Sequence, residues 1–401
     1  MLMAMHKPSE LVDYQWQCDL ARNARHPELL RRKAERMSLS PFAFLRGSAP
    51  LYWHLLATEP WLAAGPDGTG WLTGDLHLEN FGAFRPEAPA HGDIDKTVFD
   101  INDFDDATRG PWRHDLLRLT TSLALVLRDA KLDGHTTIHH LFSLLRAWNT
   151  TASGEPLAAE PPCVTTLLQA VRNRSRRTLL EARTEVHGDH RKLLRNDKLR
   201  PVDAELAQAA QQAFALYVHE MNLDFTQMRV LDVALRVAGT GSLGTLRLAV
   251  LVAGKGGRDG AWLFDMKEQG DPSSTELLPR PDLQAAERAV AAMRAGLQHP
   301  PKLCGATTLV VPSSHQRLSM LVRRLTPQED RIDWSRLAPS EIHGLIAYLG
   351  GLAGQFHHRG AQTQGATWQP SDMAELVEKA IYLAGLHTSA WLAYAKRAGS
   401  A

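Results

Sequence analysis

The sequence predicts an α+β protein in two lobes, one mostly helical and one built on a small antiparallel sheet. Three observations predict it. Helical periodicity runs to about Val218 and resumes from Ser340, while a Val-, Leu- and Gly-rich texture fills the interval between them. Inside that interval two strand-like runs flank a glycine-rich turn, which is a hairpin signature. The predicted organisation is a helical lobe over 1–230, a β-rich lobe over 231–330, and C-terminal helices over 331–401 that complete the helical lobe.

The elements follow in order. Residues 9–37 read as helical and Arg-rich, ending in Arg31-Arg32-Lys33-Ala34-Glu35-Arg36-Met37, and 38–41 break the pattern. A second helix is expected around 51–57. A short strand, Gly70-Trp71-Leu72-Thr73, runs into Gly74-Asp75. A loop punctuated by Pro86, Pro89 and Gly92 leads to another strand-like run, Thr97-Val98-Phe99-Asp100-Ile101. Over 115–127, Leu116, Leu117, Leu119, Leu123 and Val126 supply the apolar face of a helix. Helical patterns continue, broken near Gly154-Glu155-Pro156 and by Pro201. The hairpin strands are expected at 245–252 and 261–267, then a helix over 281–297, strands at 309–311 and 319–325, and helices over 342–358 and 373–397.

Composition narrows the class. The chain has 401 residues, 44% of them hydrophobic and 22% charged, which suits one large bilobal folded unit. Lys plus Arg is 45 against 44 for Asp plus Glu, so no global positive field exists to bind nucleic acid. The stretch 172–200 is locally basic, but interspersed Glu181, Glu185, Asp189 and Asp197 favour a solvated helical surface over an anion-recruiting patch. Cys18, Cys163 and Cys304 are scattered without metal-ligand spacing and read as reduced thiols. With no signal-like apolar core near Met1 and no long apolar run, the expectation is a soluble, cytoplasmic protein without a membrane partner.

The densest chemistry lies in Gly74-Asp75-Leu76-His77-Leu78-Glu79-Asn80. A carboxylate followed five residues later by a carboxamide, on a loop after a strand, suits phosphoryl transfer: the first orients or deprotonates a hydroxyl, the second helps hold Mg²⁺. Phe99-Asp100-Ile101-Asn102-Asp103-Phe104-Asp105-Asp106 then crowds four carboxylates into seven residues, whose repulsion a hard divalent cation would relieve. Turn loops favour Asp and Asn on their own. Two such loops, each after an apolar β-like run, point to function.

The run Gly74 to Asn80 resembles the catalytic loop of the aminoglycoside phosphotransferase and choline kinase branch of the protein-kinase-like superfamily, G-D-L-H-x-x-N. Asn102-Asp103-Phe104, followed twelve residues after Asp103 by Asp115-Leu116, resembles that branch's metal-binding I-D-F and downstream D-L-A. The resemblance implies a kinase-like bilobal fold with ATP and Mg²⁺ as cofactors, Asp75 as catalytic base, Asn80 and Asp103 as metal ligands, and Asp115 as a support of the loop. Two departures are Thr73, where that branch usually has His, and the long insert over 83–97.

A larger departure is order, because nothing before Asp75 resembles a nucleotide lobe. It follows instead: Gly239-Thr240-Gly241-Ser242-Leu243-Gly244 is a G-x-G-x-x-G turn, and Lys267 lies on a later strand. That context fits a hairpin covering phosphates, with Gly239, Gly241, Ser242 and Gly244 over them and Lys267 reaching in. No G-x-x-x-x-G-K-[ST] run exists to make a P-loop. Glu287 is the first candidate partner for Lys267, with Glu268 and Glu276 as alternatives. A circular permutation reconciles the order, since the helix ending in Gln355-Phe356-His357-His358 resembles the one that ordinarily precedes the catalytic loop. The whole chain also resembles the bacterial domain-of-unknown-function family numbered 2252, through Ser40 to Gly47, Gly74 to Asn80, Asp100 to Asp106, Asp115 to Leu119, Gly239 to Gly244 and Lys267-Glu268. Arg46, in the first of these, either contacts phosphate or anchors the acidic loop. The expected activity is phosphoryl transfer from ATP to an unidentified small-molecule or protein acceptor. Nucleotidyl transfer to protein and a nucleotide-binding pseudokinase or scaffold are the alternatives. A metallophosphoesterase lacks the further His and Asn ligands it would need.

Overall fold

The computed structural model describes residues 6–86, 97–224, 228–239, 243–363 and 367–399. It is a mixed α+β chain whose larger part is helical, with several small antiparallel sheets. The expected helix over 9–37 is two, Pro8–Arg22 and Glu28–Met37, because Pro27 cannot continue the helical hydrogen bonding. After them come Pro41–Gly47, whose Ser40 cap accepts from the Ala43 N–H at 3.1 Å, and Ala49–Thr58. These helices pack with Arg113–Asp129, Gly134–Ala152, Pro339–Arg359 and Pro370–Ala398 around one core that includes Trp53, Leu119, Leu145, Leu349 and Leu383. Both ends of the chain therefore build the same helical layer.

Two helices approach closely. A Cβ on Gly350 would lie 2.2 Å from the Leu144 carbonyl oxygen, and one on Gly354 would lie 2.4 Å from that of Trp148. The absence of side chains there lets Pro339–Arg359 seat on Gly134–Ala152, and the Thr151 hydroxyl donates to the Gly351 carbonyl at 2.7 Å across the seam.

The principal sheet has six strands in the spatial order Cys304–Val310, Arg317–Arg324, Trp262–Gln269, Arg247–Val252, Val230–Arg236 and Leu199–Arg200, each neighbour pair antiparallel. Alternation sorts its faces. Leu248, Val250, Phe264, Met266, Met320 and Val322 bury one face against Ala213, Phe214 and Tyr217 of the helix Ala204–Glu220. On the other face Ala249, Leu251 and Leu263 meet Leu180 and Leu193 at one end. At the other end Arg247, Asp265 and Lys267 turn toward the helical layer.

Two expectations are corrected here. The segment over 184–193 is a hairpin, Thr184–His187 with His190–Leu193, rather than helix. It packs on the sheet together with Arg176–Arg183 and Ala204–Glu220, so the sheet layer begins well before residue 231. Within the basic stretch over 172–200, Arg174 pairs with Asp330, Arg191 with Asp259, Arg195 with Asp232 and Arg200 with Glu28. All three cysteines are free, and no helix among the described residues is long and apolar enough to cross a membrane.

A candidate active site between the sheet and the helices

Two short ladders bring the acidic loops together. Phe81–Phe84 pairs antiparallel with Val98–Ile101 in the register Phe81 to Ile101, so Asn80 and Asn102 leave that ladder side by side. Their backbones join, Asn102 N–H donating to the Asn80 carbonyl at 2.8 Å. Thr69–Leu72 pairs antiparallel with Thr108–Pro111 in the register Leu72 to Thr108. The residues between the ladders, 73–80 and 102–107, have no choice but to face each other. Gly74 makes the closest approach: its φ is +77°, and a Cβ there would sit 1.9 Å from the Asp106 carbonyl oxygen.

Asp115 supports this loop from beneath. Buried at the start of Arg113–Asp129, it accepts the backbone N–H of Thr73 at 2.7 Å and of Gly74 at 3.0 Å. His357 lies behind it, Nε2 at 3.3 Å from the Asp115 carboxylate, while its Nδ1 accepts from the Trp148 indole at 2.9 Å. That network makes Nε2 the protonated nitrogen. His357 is fully buried and stacked on Trp112, so it positions Asp115 and does not reach the cleft.

Asp75 points into a cleft of about 640 Å³ whose lining also includes Asn80, Asp103, Lys267, Gly239 and Arg46. The Arg118 Nε donates to Asp75 Oδ1 at 2.5 Å, and its Nη2 donates to the Leu45 carbonyl at 2.8 Å. Burial raises the Asp75 carboxyl, Arg118 opposes it, and the nearby Asp106 and Asp103 charges raise it again, leaving it at about 7. His77 is pushed well below its ordinary range by burial and by the Arg46 and Arg118 charges, so it is neutral; its Nδ1 accepts the Glu79 N–H. Asn80 is buried, and its side-chain oxygen accepts the His77 N–H at 3.3 Å, which leaves a second lone pair on that oxygen.

The second loop meets the sheet. Burial alone would raise Asp105, but the Lys267 ammonium and the Gln269 amide outweigh it and hold the carboxyl below the usual range. Asp103 behaves oppositely. Its tip reaches cleft water, yet desolvation by the surrounding protein and the Asp105 charge raise it, with Lys267 only partly offsetting them. Arg288 ties this loop to the sheet layer, donating to the carbonyls of Ala107 at 2.7 Å, Asp105 at 3.0 Å and Gly270 at 2.9 Å.

The sheet wall is basic. Asp265 lies between Arg236 at 2.7 Å and Arg247 at 2.5 Å; despite its burial, the two guanidiniums hold it far below the carboxylate range, and one positive charge is left over. Cross-strand register puts Arg247 opposite Lys267 and Arg323 opposite Asp265. A positive wall thus faces an acidic floor of Asp75, Asp103 and Asp106.

The sequence-predicted residues divide accordingly. Asp75, Asn80, Asp103, Lys267, Arg46 and Gly239 meet at one cleft. Gly239 has a φ of 80° and its carbonyl accepts from Arg36. Gly244 has a φ of +99° and packs on the end of the first helix, where a Cβ would lie 2.6 Å from the Arg22 carbonyl oxygen. Gly241 and Ser242 lie outside the described residues. Arg46 pairs with Glu79 of the Gly74–Asn80 loop at 2.9 Å, beside Arg331, while also lining the cleft. Glu287 is corrected: it is exposed, and it caps its own helix Ala285–Gly296 by accepting the Gln284 N–H at 3.4 Å. The partner of Lys267 is Asp105. Sequence reasoning missed Arg118 and Arg288. The signal for Arg118 was available, because a charge three residues after Asp115 falls on the same helix face as that aspartate.

The chain matches a family model described as "Uncharacterized protein conserved in bacteria (DUF2252)" over residues 25–154 and 143–397, and it belongs to that family. No curated protein and no solved structure matches it.

Proposed function

We propose that this member of the DUF2252 family is an ATP- and Mg²⁺-dependent phosphotransferase with a circularly permuted, kinase-like arrangement. One observation carries the reading: the Asp75–Asn80 loop, Asp103, Lys267 and Gly239 line one and the same cleft. The sheet adds support. Its glycine-rich segment connects Val230–Arg236 to Arg247–Val252 in sequence, its lysine lies on the next strand, and the helix Ala285–Gly296 follows, which is the part order of a kinase nucleotide lobe. Support for the permutation comes from Pro339–Arg359, which runs into Ala361–Thr363; that strand pairs with Thr69–Leu72, the strand entering the Asp75 loop.

The donor set suits the implied cofactors. Oxygen ligands from Asp103 and Asn80 fit a hard cation, and the arginine and lysine wall fits phosphates. Asp103 and Asn80 would hold the Mg²⁺, which when bound would supply positive charge to offset that of the phosphates. Asp75, raised to about 7, is matched to accept a hydroxyl proton near neutral pH. Arg118 holds its Oδ1, and its Oδ2 lies 4.0 Å from His77 Nε2. Acceleration then comes from positioning and a preorganised field.

One observation favours a second reading, nucleotide binding without turnover. Lys267 is committed to Asp105, and the helix Ala285–Gly296 presents Arg288, not a carboxylate, to the loop. A thermal-shift titration with ATP, with and without Mg²⁺, tests the site common to both. At about 100 times its dissociation constant the nucleotide stabilises by roughly 2.7 kcal/mol, a shift of a few degrees for a chain of this size. Wild type should shift only with Mg²⁺, and Asp103→Asn should not. If wild type does not shift, the cleft is not a nucleotide site.

A further inference from the structure

Away from the cleft, three imidazoles converge on the outer surface of the helical layer. His139 and His140 lie on Gly134–Ala152, and His343 lies on Pro339–Arg359. One ring nitrogen from each falls within 4.8 Å of the others. His139 and His343 stack at 5.5 Å with 28° between planes, and His140 sits 5.7 Å from His343. His140 is buried, and its Nδ1 has no hydrogen-bond partner among the described residues. A buried, unpaired imidazole nitrogen is costly unless something satisfies it.

We propose that His139, His140 and His343 form a binding site for one divalent transition ion of the Zn²⁺ type, with a fourth position open to solvent. The donor chemistry selects the ion. Three neutral nitrogens and no carboxylate suit Zn²⁺, Co²⁺ or Ni²⁺ and not Mg²⁺ or Ca²⁺. The geometry needs little adjustment. Zn–N bonds of about 2.0–2.1 Å place tetrahedral nitrogens about 3.3 Å apart, and rotation of the exposed His139 and His343 side chains closes the remaining gap. The scaffold is rigid, because Gly350 against Leu144 and Gly354 against Trp148 hold the two helices at one separation. Those pairings ascend together, so the helices run parallel and His343 enters the seam within one helical turn of His139 and His140.

The ion would be a clamp and not a reactant. None of the three histidines lines the cleft. It would join Gly134–Ala152 to the helix whose far end carries His357, the residue that orients Asp115 under the Asp75 loop. The site stands independently of the phosphotransferase reading.

The test uses the metal-stripped full chain carrying Asp103→Asn, titrated in excess Mg²⁺ with Zn²⁺ alone and then with Co²⁺ alone. The expected result is one tightly bound Zn²⁺ per chain, a raised melting temperature, and the visible absorption of four-coordinate, nitrogen-ligated Co²⁺. His139→Asn and His343→Asn should each weaken binding by at least the roughly 10–100-fold that loss of an outer-shell partner causes. Both residues are exposed, so the metal-free variants should melt where the metal-free parent does. If His343→Asn fails to fold, His139→Asn alone decides. Absence of saturable Zn²⁺ binding, an octahedral Co²⁺ spectrum, or undiminished binding in His139→Asn overturns the proposal.

Discussion

Asp75 has one guanidinium on one side and two carboxylates nearby, and its proton affinity follows from that balance. Lifted to about 7, it should set the acid limb of the rate profile: phosphoryl transfer falls about tenfold per pH unit below pH 7. Asp75→Asn should remove that limb and lower kcat by roughly 10²–10⁴-fold, with Mg²⁺-dependent ATP binding kept within a few-fold. Full activity in Asp75→Asn would assign the base elsewhere. Asp100 makes a different prediction, about stability. Buried, with one oxygen accepting the Ile101 N–H at 2.8 Å, it is raised from 3.8 to about 7. The folded state therefore holds a proton that the unfolded chain releases between pH 4 and 7. The associated stability is complete below pH 4 and lost as pH rises through 7. At about 1.4 kcal/mol per pH unit, ionised Asp100 costs on the order of 4 kcal/mol at pH 8. Asp100→Asn keeps the acceptor oxygen and should flatten the difference between urea unfolding at pH 5 and pH 8. An unchanged slope would move the titration to another group.

At the scale of elements, the helix Ala285–Gly296 decides between two glutamate assignments. A lysine and a helical glutamate twenty residues apart suggest the familiar kinase pair, yet Glu287 occupies the third helical position, where a carboxylate reaches back to the N-cap N–H. The residue turned toward the acidic loop is Arg288, fully buried and spent on three carbonyls. Glu287→Ala should lower stability by no more than about 1 kcal/mol and leave activity alone. On the proposed reading Lys267→Met should weaken Mg·ATP binding and transfer together, since it removes the cation proposed to meet the phosphates and frees Asp105 to repel Asp103. Loss of activity in Glu287→Ala with retention in Lys267→Met would reverse this assignment.

At the scale of the molecule, the two ends of the chain are stitched together by buried charge. Lys33 Nζ meets Asp19 at 2.6 Å, and the Tyr394 hydroxyl, from the last helix, donates to the same carboxylate at 2.9 Å. All three side chains are buried. Lys33→Met leaves Asp19 charged and unpaired in the core and should cost about 3–5 kcal/mol. Tyr394→Phe removes one hydrogen bond to a charged group and should cost about 1.5–3 kcal/mol. Chemical denaturation of both variants checks the order, and equal small losses would show the network to be hydrated. This stitching holds the two ends of the chain in one layer, where Pro8–Arg22 and Pro370–Ala398 pack directly on each other and Pro370–Ala398 packs in turn on Arg113–Asp129.

What the sequence determined by itself is short-range. Apolar periodicity marked the long helices and the hairpin of Arg247–Val252 with Trp262–Gln269, because side-chain spacing repeats within a few residues. The crowded carboxylates at Asp100 to Asp106 and the loop Gly74 to Asn80 declared themselves for the same reason: their chemistry is local. Tertiary structure alone decided who meets whom. Two ladder registers placed Asp75 against Asp103, and a sheet folding back across 162 residues set Lys267 on Asp105 and not on a glutamate of its own lobe. It also placed the hairpin Thr184–His187 with His190–Leu193 on the sheet, where alternating polar residues had read as helical surface. The three histidines are the plainest instance, since nothing near residue 140 announces residue 343. Contacts of that kind depend on register and helix packing, which are long-range quantities that no window of sequence contains.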